Sequence, residues 1–168
     1  ASVAPPHSPF RNESVHRFTD PAERAAFQGA IERVRRELGR EYPLWLHGRD
    51  LRTEEWIEST NPARPEELVG RVASANAKDA EAAVISANAA FPAWRDRSAA
   101  ERAEFLFRAA ARLRERRDEF AAWEVFEAGK TWREADADVT EAIDFLEYYG
   151  REAIRLSQVL PLNVPGEA

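Results

Sequence analysis

The stretch from Trp123 to Tyr149 holds most of the side chains in this sequence that could do chemistry. It couples a helix stop at Gly129 to a long amphipathic segment carrying Glu134, Asp136, Asp138, Glu141 and Asp144. Carboxylates scattered along one helix in this way ordinarily form a solvated face. The sequence has no cysteine, which excludes disulfides, zinc-thiolate sites and thiol catalysis by these residues. His7, His16 and His47 are dispersed over an arm and a turn and show no metal-ligand or catalytic spacing. The seven glycines are not clustered, so no Walker-type or dinucleotide-type loop is present to gather backbone amides around a phosphate.

The elements that must position these groups are legible as periods and stops. Residues 1–9, ASVAPPHSP, open a flexible or extended arm, taken to run to residue 18. Thr19 and Asp20 are capping residues, Pro21 suits a first helical position, and Phe27, Ile31, Val34 and Leu38 form one stripe before Gly39. The period then changes. YPLWL (42–46), EEWIEST (54–60) and ELVGRVA (67–73) read as strands, with 42–46 and 51–59 pairing as a hairpin and NPARPE (61–66) as a loop.

Helices follow. Asn76 caps one whose stripe is Ala80, Ala83, Val84, Ala87 and Phe91, interrupted at Pro92 and Trp94. Ser98 with Glu101 makes a capping box for a helix expected to bury Phe105, Leu106, Ala109 and Leu113. A helix over Asp118 to Phe126 is closed by Gly129. The last carries Ala135, Val139, Ala142, Leu146, Tyr149, Ala153 and Leu156 at alternating four- and three-residue steps, and LPLNVPGEA (160–168) ends it.

The fold class expected is α/β, mostly helical with three to four short strands. The net charge of -6, from 24 Lys and Arg against 30 Asp and Glu, argues against nucleic-acid binding. The one basic cluster, RLRERR at 112–117, carries Glu115 inside it and reads as a solvated helix face. No apolar run approaches the roughly 20 residues of a membrane helix, so no membrane partner is expected and the setting inferred is cytoplasmic.

From about Tyr42 to Arg155 the sequence resembles aldehyde dehydrogenases. The resemblance rests on Glu127, Gly129, Lys130, Tyr148 and Tyr149, on Thr60, Asn61 and Pro62 after a strand, on Val69 to Ala73, on the Asp79 to Phe91 helix with Trp94, and on the Ser98 box. PFRNE (9–13), the capped helix at 19–38, YPLWLHG (42–48) and EAIDFLEYY (141–149) are similar to the pyrroline-carboxylate, or glutamate-semialdehyde, branch.

The resemblance implies residues 19–168 as an incomplete cofactor-binding domain and an NAD-dependent oxidation of glutamate semialdehyde to glutamate in proline breakdown. The family's chemistry uses a cysteine thiolate, a water-activating Glu, an oxyanion-stabilising Asn and cofactor loops, all beyond residue 168. These residues are therefore expected to contribute no catalytic group, to bind no NAD alone, and to self-associate or pair with a complementary chain. Glu141 corresponds to a residue lining the substrate tunnel, with Phe145 one turn on; its plainer reading is a solvated carboxylate. Glu127, Thr60 and the backbone around Ser59 match positions that hold a monovalent cation in some relatives. The competing reading is a non-catalytic interaction module derived from the same family.

Overall fold

The computed structural model describes residues 8–158, so residues 1–7 and the expected break at 160–168 lie outside the described residues. Helix α1 spans Pro21–Arg35, and its N-cap Asp20 accepts from Ala22 N at 2.7 Å, with Pro21 where its missing N–H costs nothing. Phe27, Ala30 and Val34 are its buried residues. Leu38 lies beyond the helix end, and Gly39 (φ 81°) donates its N–H to Val69 O at 2.9 Å, turning the chain into a sheet.

Among the described residues the strands number five, more than expected, and the last is longer than its expected 67–73 span. They are β1 (Arg40–Tyr42), β2 (Leu44–Leu46), β3 (Arg49–Leu51), β4 (Trp56–Asn61) and β5 (Arg64–Ala73). The hairpin is β2 with β3, in register Trp45 to Asp50, closed by His47 and Gly48. Both turn residues have positive φ (54° and 74°), the geometry that lets two residues reverse a twisted ribbon. The expected 42–46/51–59 pairing is therefore replaced by this tighter turn.

The second correction is at 61–66. Instead of a loop, β4 and β5 form an antiparallel pair that closes from Asn61 to Arg64. Asn61 Oδ1 accepts Ala63 N at 2.9 Å, a local side-chain turn that needs no glycine. Pro65 is tolerated inside β5 because β1 pairs only with Gly70–Val72, leaving the start of the strand with a neighbour on one side. The three-stranded order is β1-β5-β4, with β1 parallel to β5.

Helix α2 (Ala77–Arg95) runs through Pro92 rather than stopping there, since only the last turn remains beyond it. It has no buried residue, and the stripe that includes Val84 and Phe91 is open. Helix α3 (Ala99–Glu115) buries Ala103 and Ala110, while Phe105 is exposed and stacks edge-on with Trp94 at 5.2 Å. The buried line thus falls beside the one expected through Phe105 and Ala109. Helices α4 (Arg117–Ala128) and α5 (Trp132–Leu156) complete the layer.

Helix α5 buries Ala135, Asp136, Val139, Thr140, Ile143 and Gly150, and it leaves Tyr149 and Leu156 exposed. A strict four-and-three repeat drifts by roughly 20° per heptad against a straight helix, so the expected stripe leaves the core before the helix ends. Gly150 is there because α3 comes close: a Cβ would lie 2.6 Å from Phe107 Cε1. The core joins Phe27, Ala110, Ala121, Ala135, Val139 and Ile143, with a second cluster around Val34, Val69 and Phe126 linking helices to β5.

Asp136 corrects the reading of the acidic helix as uniformly solvated, being 1% exposed. Its Oδ1 accepts Arg117 Nε at 2.7 Å and lies 2.9 Å from His16 Nδ1, while Oδ2 accepts His16 N at 2.7 Å. Arg117, the last residue of the basic run, is 12% exposed and also donates to Ser14 O at 2.8 Å. Arg112 and Arg116 pair locally, with Glu115 and Glu119, while Arg114 reaches across to Glu13 and Glu147. Residues 8–17 form neither helix nor strand, yet they are tied to the helices by hydrogen bonds along their length. Besides the Asp136 contacts, Asp144 accepts Glu13 N at 2.7 Å and Asn12 Nδ2 at 2.8 Å, and Arg151 donates to Ser8 O at 3.0 Å.

Removing the cation strands a buried carboxylate, which is costlier than losing a surface pair. Arg117→Met is expected to lower stability by about 3–5 kcal/mol, read from urea unfolding. An unchanged midpoint would show that Asp136 is not held as an ion.

Candidate functional site

The turn between α4 and α5 is built from residues 127–131. Gly129 takes φ 66°, the left-handed conformation that ends a helix, and its missing Cβ admits Pro62, whose Cγ would be 2.9 Å from it. Lys130 Nζ donates to Glu124 Oε2 at 3.0 Å and also pairs with Asp138, joining the helices across the turn. Thr131 caps α5: its hydroxyl accepts Glu134 N at 3.3 Å while Glu134 Oε2 accepts Thr131 N at 3.0 Å.

Glu127 sits at the rim of a cleft of about 490 Å³ whose walls include Arg40, Tyr42, Ser59, Val72 and Trp123. Ser59 Oγ donates to Glu127 Oε1 at 3.2 Å. The side chain that reaches Glu127 is thus that of Ser59, and the β4–β5 register shifts on either side of Thr60. Burial pushes the Tyr42 phenol up, Arg40 opposes this, and Glu37 and Glu127 add to it. Among the described residues no three His, Asp or Glu side chains gather as a metal site.

The outer face of α5 is the second candidate. Glu141 is exposed and has no hydrogen-bond or ion-pair partner among the described residues. Phe145, one turn on and 51% exposed, packs against Tyr149 with ring centroids 5.9 Å apart. Tyr149 meets Tyr148 at 5.3 Å, and Tyr148 meets Phe10 of the arm edge-on at 5.5 Å. Glu141 and Phe145 are therefore on one face, as their i,i+4 spacing requires, while the two site candidates Glu127 and Glu141 remain on different parts of the surface. The contribution of Phe10 is invisible to periodicity, because the contact spans more than a hundred residues.

Below this face Glu147 is tied to Arg151 Nη1 at 2.6 Å and Arg114 Nη2 at 3.3 Å. Burial pushes its carboxyl up, but hydrogen bonds and charge from Arg151 and Arg114 outweigh this and hold it below its ordinary value. No helix among the described residues is long and apolar enough to cross a membrane.

Five helices over a small mixed sheet, with an acidic α5 after a Glu-x-Gly-Lys turn, define part of an aldehyde dehydrogenase fold. A match to the aldehyde dehydrogenase family covers residues 45–167, and the chain belongs to that family. It is 52% identical over 160 residues to a 1-pyrroline-5-carboxylate dehydrogenase of Geobacillus thermodenitrificans, covering 95% of this chain and 31% of the relative. The structure superposes on a variant of the Thermus thermophilus 1-pyrroline-5-carboxylate dehydrogenase with TM-score 0.89 and 44% identity, over 96% of this chain and 32% of that one. A Thermus enzyme of the same name with bound NAD gives TM-score 0.88, again at 44% identity over 96% of this chain and 32% of that one. The chain thus spans about a third of the length of these relatives.

Two substitutions test the geometry. Gly129→Ala adds a Cβ in a left-handed conformation and against Pro62, and is expected to cost about 1–3 kcal/mol in thermal unfolding; no loss would mean the turn relaxes freely. Because the Glu147 carboxyl is lowered in the folded state, its stabilisation is present above the unfolded glutamate value of about 4.3 and lost as pH falls through the folded value. Wild type is expected to exceed Glu147→Gln in stability near neutrality, with the gap closing in acid; a gap that persists at low pH would refute the ion-pair origin.

Proposed function

We propose that this chain is the N-terminal portion of an NAD-dependent glutamate-semialdehyde dehydrogenase, an enzyme of proline breakdown that oxidises the aldehyde to glutamate. The observation that most supports this is the agreement of sequence and fold over nearly the whole chain with enzymes carrying the pyrroline-carboxylate dehydrogenase name. In this reading α5 forms one wall of the aldehyde tunnel. Glu141, a free carboxylate, hydrogen-bonds substrate or ordered water there. Phe145 supplies an apolar surface that keeps bulk water from the reacting aldehyde.

The thiol that attacks the aldehyde is supplied by residues outside these 168, which include no cysteine. The nicotinamide cofactor supplies hydride acceptance in the complete enzyme, but the residues described here do not fit it. Gly29 and Gly150 lie within helices, Gly70 lies in β5, and Gly39, Gly48 and Gly129 stand in separate turns. Among the described residues no glycine-rich loop gathers amides for a pyrophosphate, and no step is derived through the cofactor. Glu127 and Ser59, with the backbone at Thr60, provide oxygens of the kind a monovalent cation takes, and in the complete enzyme these residues would hold it.

The open stripe of α2 supports a second assignment on the same footing: self-association, or pairing with a complementary chain that covers Val84, Ile85 and Phe91. A sedimentation experiment on the isolated chain distinguishes a monomer from such an assembly. The test of the main reading is enzymatic. The isolated chain is expected to reduce no NAD with glutamate semialdehyde, whereas a polypeptide carrying it together with the remaining two thirds of the relatives' length is expected to turn over. Turnover by the pure chain, or inactivity of the longer one, would overturn the reading.

A further inference from the structure

The arm and the outer face of α5 are joined by one row of rings. Phe10 packs edge-on to Tyr148 at 5.5 Å, Tyr148 edge-on to Tyr149 at 5.3 Å, and Tyr149 against Phe145 at 5.9 Å. Three of these rings belong to α5 and are substantially exposed, so the helix alone does not fix their rotamers. Phe10 is the member from outside the helix, and it is half-buried. Its backbone is held near the row on both sides. Arg151 of α5 donates to Ser8 O at 3.0 Å, and Asp144 of α5 accepts Asn12 Nδ2 at 2.8 Å and Glu13 N at 2.7 Å. Tyr148 therefore has a ring on each side, one of them anchored through polar bonds to the main body of α5.

We propose that Phe10 is a positioning residue for the aldehyde site, acting through Tyr148 and Tyr149 to set the orientation of Phe145 beside Glu141. The inference rests on the reading of α5 as a tunnel wall. It adds that the N-terminal arm determines how well that wall fits the substrate. Edge-to-face pairs have a preferred geometry, and loss of the terminal ring frees Tyr148 to swing toward the space Phe10 occupied. Tyr149 and Phe145 then lose the neighbour that limited their own rotation. A misplaced wall weakens substrate binding, and the hydride step, carried by groups elsewhere, is left unchanged.

The experiment uses the full-length enzyme containing this chain, assayed with glutamate semialdehyde and NAD. Phe10→Ala is expected to raise the KM for the aldehyde roughly fivefold while kcat and the KM for NAD stay within about twofold, and Phe10→Tyr is expected to restore the wild-type KM.

An active wild-type enzyme whose aldehyde KM is unmoved by Phe10→Ala would overturn this inference alone. A fall in kcat with both KM values unchanged would also overturn it, as would failure of Phe10→Tyr to rescue. An inactive wild-type enzyme would instead overturn the tunnel reading on which it rests. If Phe10→Ala does not fold, Asn12→Ala, which loosens the arm without removing a ring, is expected to raise the same KM in the same direction, and an unchanged value would count against the proposal.

Discussion

The carboxylate of Asp136 is the constraint on which the rest of the arrangement depends. A carboxylate held out of water requires a cation and hydrogen-bond donors beside it, and here the Arg117 guanidinium and the His16 backbone N–H supply them from two separate parts of the chain. Arg117 begins α4 and His16 belongs to the arm, so satisfying one side chain on α5 fixes the angle of α4 and the course of the N-terminus together. Burial of apolar surface favours a compact helix layer but is non-directional. The ion pair specifies which compact arrangement forms, in the way a polar group in a core selects one register among several. Hydrophobic contacts then consolidate it: Phe18, just after the polar contacts of His16, meets Phe27 of α1 at 5.2 Å and Trp132 of α5 at 5.7 Å.

This dependence explains what could be read from the residues and what could not. Three helix starts were legible because caps act within three residues: Asp20, Asn76 and Ser98 each accept from the first turn of the helix they open, whereas the Thr131 cap of α5 went unread. The stop at Gly129 was legible for the same local reason. Faces were less so. A period states that residues share a side, but which side meets the core is decided by neighbours remote in sequence. Phe105 thus lies outside while the smaller Ala103 and Ala110 allow α3 to approach α5. The strand pairings followed turn geometry that composition did not reveal, since His47–Gly48 and Asn61–Arg64 close by backbone conformation and one amide side chain.

The candidate site shows the same division. Glu141 and Phe145 fall on one face because helical spacing demands it, and the helix is long enough to carry both clear of the core. The contact of Ser59 with Glu127 joins residues 68 apart, across a stretch of β4 whose register shifts at Thr60, and no local spacing reports it. Asp136 and Asp138 are two residues apart in the same acidic segment, yet one is buried against Arg117 and the other pairs with Lys130 at the surface. No count of carboxylates distinguishes them; only the position of the arm and α4 does.

A division of labour within α5 follows from these placements. Its inner face is closed by Val139, Ile143, smaller residues and Asp136, so it cannot shift without stranding a charge or opening the contact at Gly150. Its outer face carries rings that pack on one another and on Phe10. A helix rigidly anchored on one side and adjustable on the other suits a wall that must hold its place while its surface is tuned to a ligand. The arm serves both sides, through His16 to Asp136 and through Phe10 to Tyr148, and the two contacts are separated by only five residues of the chain. Anchoring and tuning are therefore mechanically coupled: a change that frees the arm from Asp136 also loosens its grip on the aromatic row.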